Sequence, residues 1–191
     1  MSTINNEWKK SVLEKAGLQY ITLTGEEWVL LLAGADSSSP ILGEYTFHFI
    51  FFLYPFSPFN FKTLLIAPYS EQLDKCLKRM LDGGILIKEI KVVNTIVTEA
   101  YKLSLKGNTV YRNLKNKIYK KQVLINNHIV RPVANVLNEL ESLKKTYNGR
   151  ELFKLLKLLI AKVKNNDFAL ELRLQDHEIQ YLKRIIRYGG V

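Results

Sequence analysis

The stretch YTFHFIFFLYPFSPFNF, residues 45–61, constrains the fold more than any other segment, because it holds seven of the nine phenylalanines of the chain. So many aromatic side chains must cross a membrane, coat a partner or fill a core. A membrane-spanning helix needs ~20 consecutive apolar residues, and His48, Pro55 and Pro58 interrupt this run. An interfacial helix would need a face of Lys and Arg, which is missing here. We therefore predict an apolar helix over about residues 42–54 at the centre of a small domain, then a turn and a short extended piece.

Capping residues and helical periodicity predict further helices on both sides of this stretch. Residues 7–16 and about 25–34 have helical patterns, and Thr24 and Glu27 have the spacing of a capping box at the start of the second. Counted from the helix over about residues 25–34, the third helix of the domain is predicted to begin after Ser70, a candidate N-cap, and to end at a Gly-Gly pair.

Two β-rich runs, GILIKEIKVV and TIVTEAYKLSL, follow the third helix and join around Asn94 and Thr95, which predicts a hairpin. The next segment, KGNTVYRNLKNKIYKK, has the apolar spacing of a helix with basic residues around the rest. Three helices, a two-stranded hairpin and a helix form the order of a winged helix, which presents its third helix to DNA and uses the hairpin as a wing. The sequence thus predicts an α+β, mostly helical fold with a winged-helix domain and its N-terminal helix in residues 1–122.

Residues 123–191 are predicted to form a C-terminal helical extension, with helices at about residues 131–146, 150–164 and 176–187. The middle helix, RELFKLLKLLIAKVK, has an apolar face so wide that it needs cover from two sides. It either folds back on the domain or pairs with a second subunit. Because added helices often build dimers, we expect a homodimer.

Positive charge is concentrated in the C-terminal part of the chain. The net charge of the whole chain is +10; residues 1–70 carry four lysines against six acids, which leaves 24 − 12 = +12 for residues 71–191. Residues 100–138 contain eight basic residues and no acid. This pattern predicts that a polyanion binds the C-terminal part, with a plain solvated face as the alternative.

Two segments carry a family resemblance. YKLSLKG, residues 101–107, resembles the Tyr-x-Leu-Thr-x-x-Gly end of the wing in many winged-helix regulators. FNFKTLLIAPYSEQLDKCLKRMLDGGIL, residues 59–86, is similar to the Phe-x-Phe…Gly-Pro-Tyr-Ser-x-x-Leu…Leu-x-x-x-Gly-Leu pattern of the YwgA-like family, which is related in form to the Panacea antitoxin-type domains. The chain departs from that family at EYTFHF, where the family has a basic entry to its second helix, and at Ala67, where it has Gly. The resemblance implies a winged helix and no particular ligand.

The third helix and the hairpin would supply the contacts to DNA. Gln72 and Arg79 have side chains that can read base edges with two hydrogen bonds, and the lysines would bind phosphates. Glu71 and Asp74 would repel phosphates, and their alternative role is to stabilise the start of the helix. The predicted DNA-binding residues are Ser70, Gln72, Lys75, Lys78, Arg79, Lys88, Lys91, Lys102, Lys106, Arg112 and Lys115.

Signatures of enzymes, metals and cofactors are sparse. His48, His128 and His177 lie far apart without ligand spacing, and Cys76 is the single cysteine. We therefore expect no enzymatic activity, no metal and no cofactor. The single cysteine, with an N-terminus unlike a secretory signal, predicts a cytoplasmic protein. The predicted function is double-stranded DNA binding in transcription control or in the life cycle of a mobile element. The alternatives are a protein-protein interaction adaptor built on a winged helix and, third, a nuclease.

Overall fold

The computed structural model describes residues 11–12, 15–17, 20–64, 67–93, 95–126, 129–163, 177, 180–181 and 184. Within these ranges the fold is α+β, with three small sheets between helices. The helices and strands, in chain order, are β1 (Tyr20–Ile21), α1 (Gly25–Ser38), β2 (Ile41–Leu42), α2 (Glu44–Leu53), β3 (Lys62–Leu64), β4 (Ala67–Tyr69), α3 (Glu71–Asp82), β5 (Leu86–Val93), β6 (Ile96–Leu103), α4 (Leu105–Ile118), β7 (Gln122–Ile125), β8 (Ile129–Pro132), α5 (Val133–Tyr147) and α6 (Leu152–Val163).

Local capping fixes the helix starts that the sequence predicts. At α1, the Thr24 hydroxyl accepts from the backbone N–H of Glu27 at 3.2 Å, and the Glu27 carboxylate accepts from the backbone N–H of Thr24 at 2.8 Å. At α3, the Ser70 hydroxyl accepts from the backbone N–H of Leu73 at 3.4 Å. The predicted capping box and the predicted N-cap are both confirmed.

The phenylalanine-rich helix α2 fills the core, as predicted. All residues from Thr46 to Leu53 are buried. One side of α2, with Phe47, Ile50 and Phe51, joins the main cluster of buried side chains. The opposite side, with Phe49 and Phe52, forms a second cluster. A helix that is apolar all round is stable in water only if it is covered on both sides, and this one is.

Helix α6 supplies the cover on the second side of α2. Leu155, Leu156 and Leu159 are fully buried in the cluster that contains Phe49 and Phe52. The leucine-rich helix therefore folds back on its own domain, which was one of the two alternatives left open by the sequence.

No helix within the described ranges is long and apolar enough to span a membrane.

The hairpin belongs to a three-stranded antiparallel sheet in the order β2-β6-β5. Strand β2, between α1 and α2 in the chain, connects this sheet to the helices. The hairpin is confirmed: its register runs from Leu86 opposite Leu103 to Val93 opposite Ile96. A second sheet, in the order β1-β7-β8, contains a parallel β1-β7 pair, and β3 pairs with β4 between α2 and α3. The sequence predicted neither the second sheet nor the β3-β4 pair as such.

Helix α5 packs within the main core. Val133, Val136 and Leu140 share the cluster that contains Trp28 of α1. The division predicted between residues 122 and 123 falls inside β7, after its first residue, and core packing continues across it. The division itself stays a prediction. The helices predicted over residues 7–16 and 176–187 lie largely outside the described residues.

A buried lysine holds the kink at the end of α1. Asp36 and Ser37 adopt left-handed φ angles of 51° and 54°, which interrupts the helix. Lys144 of α5 is fully buried there and donates from Nζ to the carbonyl oxygens of Ala33 and Ala35, both at 2.9 Å. The lysine thus satisfies carbonyls that the kink leaves without helical partners.

Candidate nucleic-acid interface

The outer face of α3 is exposed, but one predicted contact residue is not on it. Gln72, Lys75, Lys78 and Arg79 are exposed. Ser70 is 1 % exposed; its hydroxyl caps α3 and its backbone N–H donates to Nδ1 of His48 at 3.1 Å. The prediction that Ser70 contacts DNA is therefore wrong, because the same N-cap that starts the helix is covered by α2.

Acidic side chains already neutralise most of the charge on α3. Lys75 pairs with Glu71 at 2.7 Å, and Arg79 pairs with Glu26 of α1 at 2.5 Å. Three acids and three bases lie along the helix, so its net charge is zero. Exposed ion pairs are weak and can exchange partners, but phosphates would have to compete for Lys75 and Arg79.

One side of α3 borders a groove on the protein surface. This groove of about 470 Å³ lies between the start of α1, α3 and β7, and Gln72, Lys75 and Arg79 line it together with Leu124 and Ile125. The Gln72 side chain also accepts from the backbone N–H of Asn60 at 3.3 Å. The two side chains predicted to read base edges are therefore partly engaged by the protein itself.

The lysines of the hairpin are also partly paired. Lys88 pairs with Glu99 at 2.9 Å across the hairpin, and Lys102 pairs with Glu89 at 2.5 Å. Lys91 has no acidic partner among the residues that the structure describes. The hairpin thus contributes one unpaired positive charge among its predicted DNA-binding residues.

A group of acids gathers where α2, α3 and the hairpin meet. The Tyr101 hydroxyl donates to the carboxylate of Glu99 at 2.6 Å and lies 3.1 Å from the carboxylate of Glu44. Burial, with Asp74 and Glu99 close by, raises the pKa of Glu44 above its ordinary value, although the Tyr101 hydrogen bond opposes this. Phosphates would be repelled from this side, which leaves the C-terminal half of α3 as the side open to a polyanion.

The YKLSLKG segment positions the start of α4 next to the end of α3. Tyr101 and Leu103 are buried in the core, and the Ser104 hydroxyl caps α4 by accepting from the backbone N–H of Gly107 at 2.9 Å. A Cβ at Gly107 would lie 2.2 Å from the carbonyl oxygen of Ile85, so only glycine fits. The Lys106 ammonium donates to the carbonyl oxygen of Gly83 at 2.9 Å, at the end of α3.

The strongest unpaired positive charge lies on α4 and the turn after it. Among the described residues, no carboxylate forms an ion pair with any of the six cations in residues 105–121. Lys115 instead lies with its ammonium 5.8 Å from the centre of the Tyr111 ring. The six cations are Lys106, Arg112, Lys115, Lys117, Lys120 and Lys121.

The predicted site included Lys106, Arg112 and Lys115 but omitted Lys117, Lys120 and Lys121, of which Lys117 and Lys120 are exposed. The signal that could have found them is the absence of acids from residues 100–138, because a run without acids offers no local partner to neutralise a lysine. Tyr119 is also exposed at 51 % beside these lysines, whereas Tyr101 is a core residue.

Two of the remaining candidates for chemistry, His48 and Cys76, are buried, whereas His128 lies outside the described residues. His48 is buried, accepts from Ser70 and stacks on Tyr69 with ring centres 5.0 Å apart, and burial lowers its pKa to about 4. The His48 ring is therefore a neutral core histidine. Cys76 is buried, and within the part of the chain that the structure describes no group of three His, Cys, Asp or Glu could hold a metal ion.

Comparison with the models of known protein families gives no match, and comparison with curated proteins gives none either. The resemblance carried by residues 59–86 and 101–107 therefore stays a resemblance.

Proposed function

We propose that this protein binds double-stranded DNA with a winged-helix arrangement whose main phosphate-binding surface is α4 and the turn that follows it. The observation that carries the proposal is the set of six cations in residues 105–121 with no acid among them and no ion pair to a described carboxylate. Unpaired lysines and arginines bind phosphates and release counterions, which gives affinity without dependence on sequence.

The order of the elements supports the winged-helix part of the proposal. The chain runs through α1, β2, α2, the short β3-β4 pair, α3 and the β5-β6 hairpin, and β2 pairs with β6 in the sheet order β2-β6-β5. This order fits an arrangement in which α3 and the hairpin lie on the DNA side. The similarity of residues 59–86 to the YwgA-like family fits the same arrangement.

The distribution of charge favours contact through α4 over deep insertion of α3. The Lys106 ammonium donates to the carbonyl oxygen of Gly83 just after α3, and Lys78 and Arg79 lie in the C-terminal half of the same helix. The N-terminal half of α3 carries Glu71 and Asp74 and lies next to Glu44. A duplex that meets the C-terminal end of α3 and follows α4 avoids these carboxylates.

Binding to a labelled duplex of about 20 base pairs with random sequence, measured at 50 and 200 mM salt, tests the proposal. Contact with about five phosphates predicts a loss of affinity of several hundredfold between these two salt concentrations, since each phosphate contributes about −0.9 to the slope of log K against log salt. Absence of binding to any duplex at the lower salt concentration would refute it. Turnover of the duplex that needs a divalent metal would favour the nuclease alternative.

A further inference from the structure

The distal part of the β5-β6 hairpin is an unusual surface for a wing that holds phosphates. Ile90 is 77 % exposed, Val92 69 %, Val97 68 % and Ile96 56 %. Strand β5 is the last strand of its sheet and pairs only with β6 among the described residues, so one edge of its eight-residue backbone is free. Long apolar edge strands tend to pair with another strand.

The charged residues of β5 limit the registers in which its free edge could pair with the same edge of a second copy. A two-fold axis perpendicular to a sheet brings two antiparallel strands together with residues of the same face opposite each other. Axes through Lys88, Glu89 or Lys91 would place like charges directly opposite, which is unfavourable.

An axis through Ile90 gives a self-complementary pair instead. It places Glu89 of each copy opposite Lys91 of the other, twice. Ile87 lies opposite Val93, also twice, and the two Ile90 side chains meet on the axis. Lys91 is the hairpin lysine without an acidic partner in the described chain, whereas Glu89 has Lys102 alone as its partner at 2.5 Å.

We propose that two copies of this chain associate through the free edges of β5 in the register centred on Ile90, forming a continuous six-stranded sheet in the order β2-β6-β5-β5-β6-β2. This interface is independent of the DNA surface on α4, and it differs from the dimer predicted through the C-terminal helices. It places Lys91 in an ion pair between the two copies, so Lys91 is not a phosphate contact.

The first test is the mass of the full chain by sedimentation at concentrations from about 1 to 300 µM, a range that covers weak dimers. The variants Glu89→Lys and Lys91→Glu each place like charges opposite one another twice, so each should weaken the dimer about tenfold or more. The double variant Glu89→Lys/Lys91→Glu restores opposite charges across the axis, and its association should recover. A structural role within one chain would not produce this recovery.

The second test fixes the register. In antiparallel pairs, opposite Cα atoms are about 4.5–5.5 Å apart, within the range that a disulfide spans. Ile90→Cys should therefore give a disulfide-linked dimer on mild oxidation, whereas Val97→Cys, similarly exposed but on β6, away from the β5 edge, should not. Cys76 is buried and stays out of the reaction.

A chain that stays monomeric over the whole concentration range overturns the proposal, as does a dimer that is insensitive to both charge reversals. Cross-linking at residue 97 instead of residue 90 would also overturn it. If residue 90 becomes protected from thiol reagents only when duplex DNA is added, the edge belongs to nucleic acid and the proposal fails. Loss of DNA binding alone would leave these results unchanged, so the two proposals can fail separately.

Discussion

The buried Lys144 should make the stability of the fold depend on alkaline pH in a way that can be calculated. Its side chain is fully buried and donates to the carbonyls of Ala33 and Ala35. Burial lowers its pKa from 10.5 to about 8, although Asp36 and Glu141 nearby oppose this change. Between these two pKa values the unfolded chain binds more protons than the folded chain, so the free energy of unfolding rises with pH through this window.

The pKa of Lys144 differs by about 2.5 between the unfolded and the folded chain, which at ~1.36 kcal/mol per pKa unit corresponds to roughly 3 kcal/mol. The free energy of unfolding should gain about 2.5 kcal/mol of this between pH 7 and pH 10. Urea denaturation of the wild type and of Lys144→Met at both pH values measures this gain. The Met variant lacks the group, so it should lack the gain. Because tyrosines and other lysines titrate nearby, the comparison uses the difference between the two proteins.

Lys145→Met is the matched control, since Lys145 is the next residue of α5 and its side chain is 56 % exposed. It removes the same charge from the surface and should keep the pH response of the wild type up to pH 10. Equal pH responses of wild type and Lys144→Met would refute the reasoning, because Lys144 would then hold its proton equally well in the folded and the unfolded chain.

Two further predictions test the packing that positions α4 and covers α2. Gly107→Ala should lower the free energy of unfolding by about 1–3 kcal/mol or more, because its Cβ would meet the backbone carbonyl of Ile85, which cannot rotate away. The control Asn113→Ala, on the exposed side of α4, should change this free energy by less than ~0.5 kcal/mol. Equal effects of the two variants in urea denaturation would contradict the packing. Leu155→Ala should lower the free energy of unfolding by about 2–5 kcal/mol in the same assay, because Leu155 is fully buried against α2. The control Lys157→Ala, on the exposed face of α6, should change it little. If Leu155→Ala leaves the free energy of unfolding unchanged, α6 does not cover α2.

Local signals in the sequence predicted the helices well. The Thr24-Glu27 capping box and the Ser70 N-cap act within one turn of helix, so their residues are neighbours along the chain. The β5-β6 hairpin is likewise local, since its strands are joined by a short turn. The burial of α2 followed from composition alone, because a helix with so many phenylalanines has no side that water can face.

What the sequence did not predict depends on partners far away along the chain. The parallel β1-β7 pair joins Tyr20 to Gln122, and two-residue strands of this kind carry no periodicity. The pairing of Arg79 with Glu26 of α1 also required the fold, and it changes the expected role of α3. The exposed apolar residues of the hairpin were visible in the sequence, but alternation alone does not say which strand edge stays free.

The central claim is that α4, and not α3, provides the main phosphate contacts. Two triple variants each remove three positive charges, one set from α4 and the turn after it and the other from α3. They are Arg112→Gln/Lys117→Gln/Lys120→Gln and Lys75→Gln/Lys78→Gln/Arg79→Gln. Because both variants change the net charge equally, a difference in their duplex binding reports the position of the charges. The slope of log K against log salt measures the number of phosphates contacted. We predict that the α4 variant reduces this slope by about 2 to 3 and that the α3 variant reduces it by clearly less. Equal reductions, or a larger one for the α3 variant, would contradict the account.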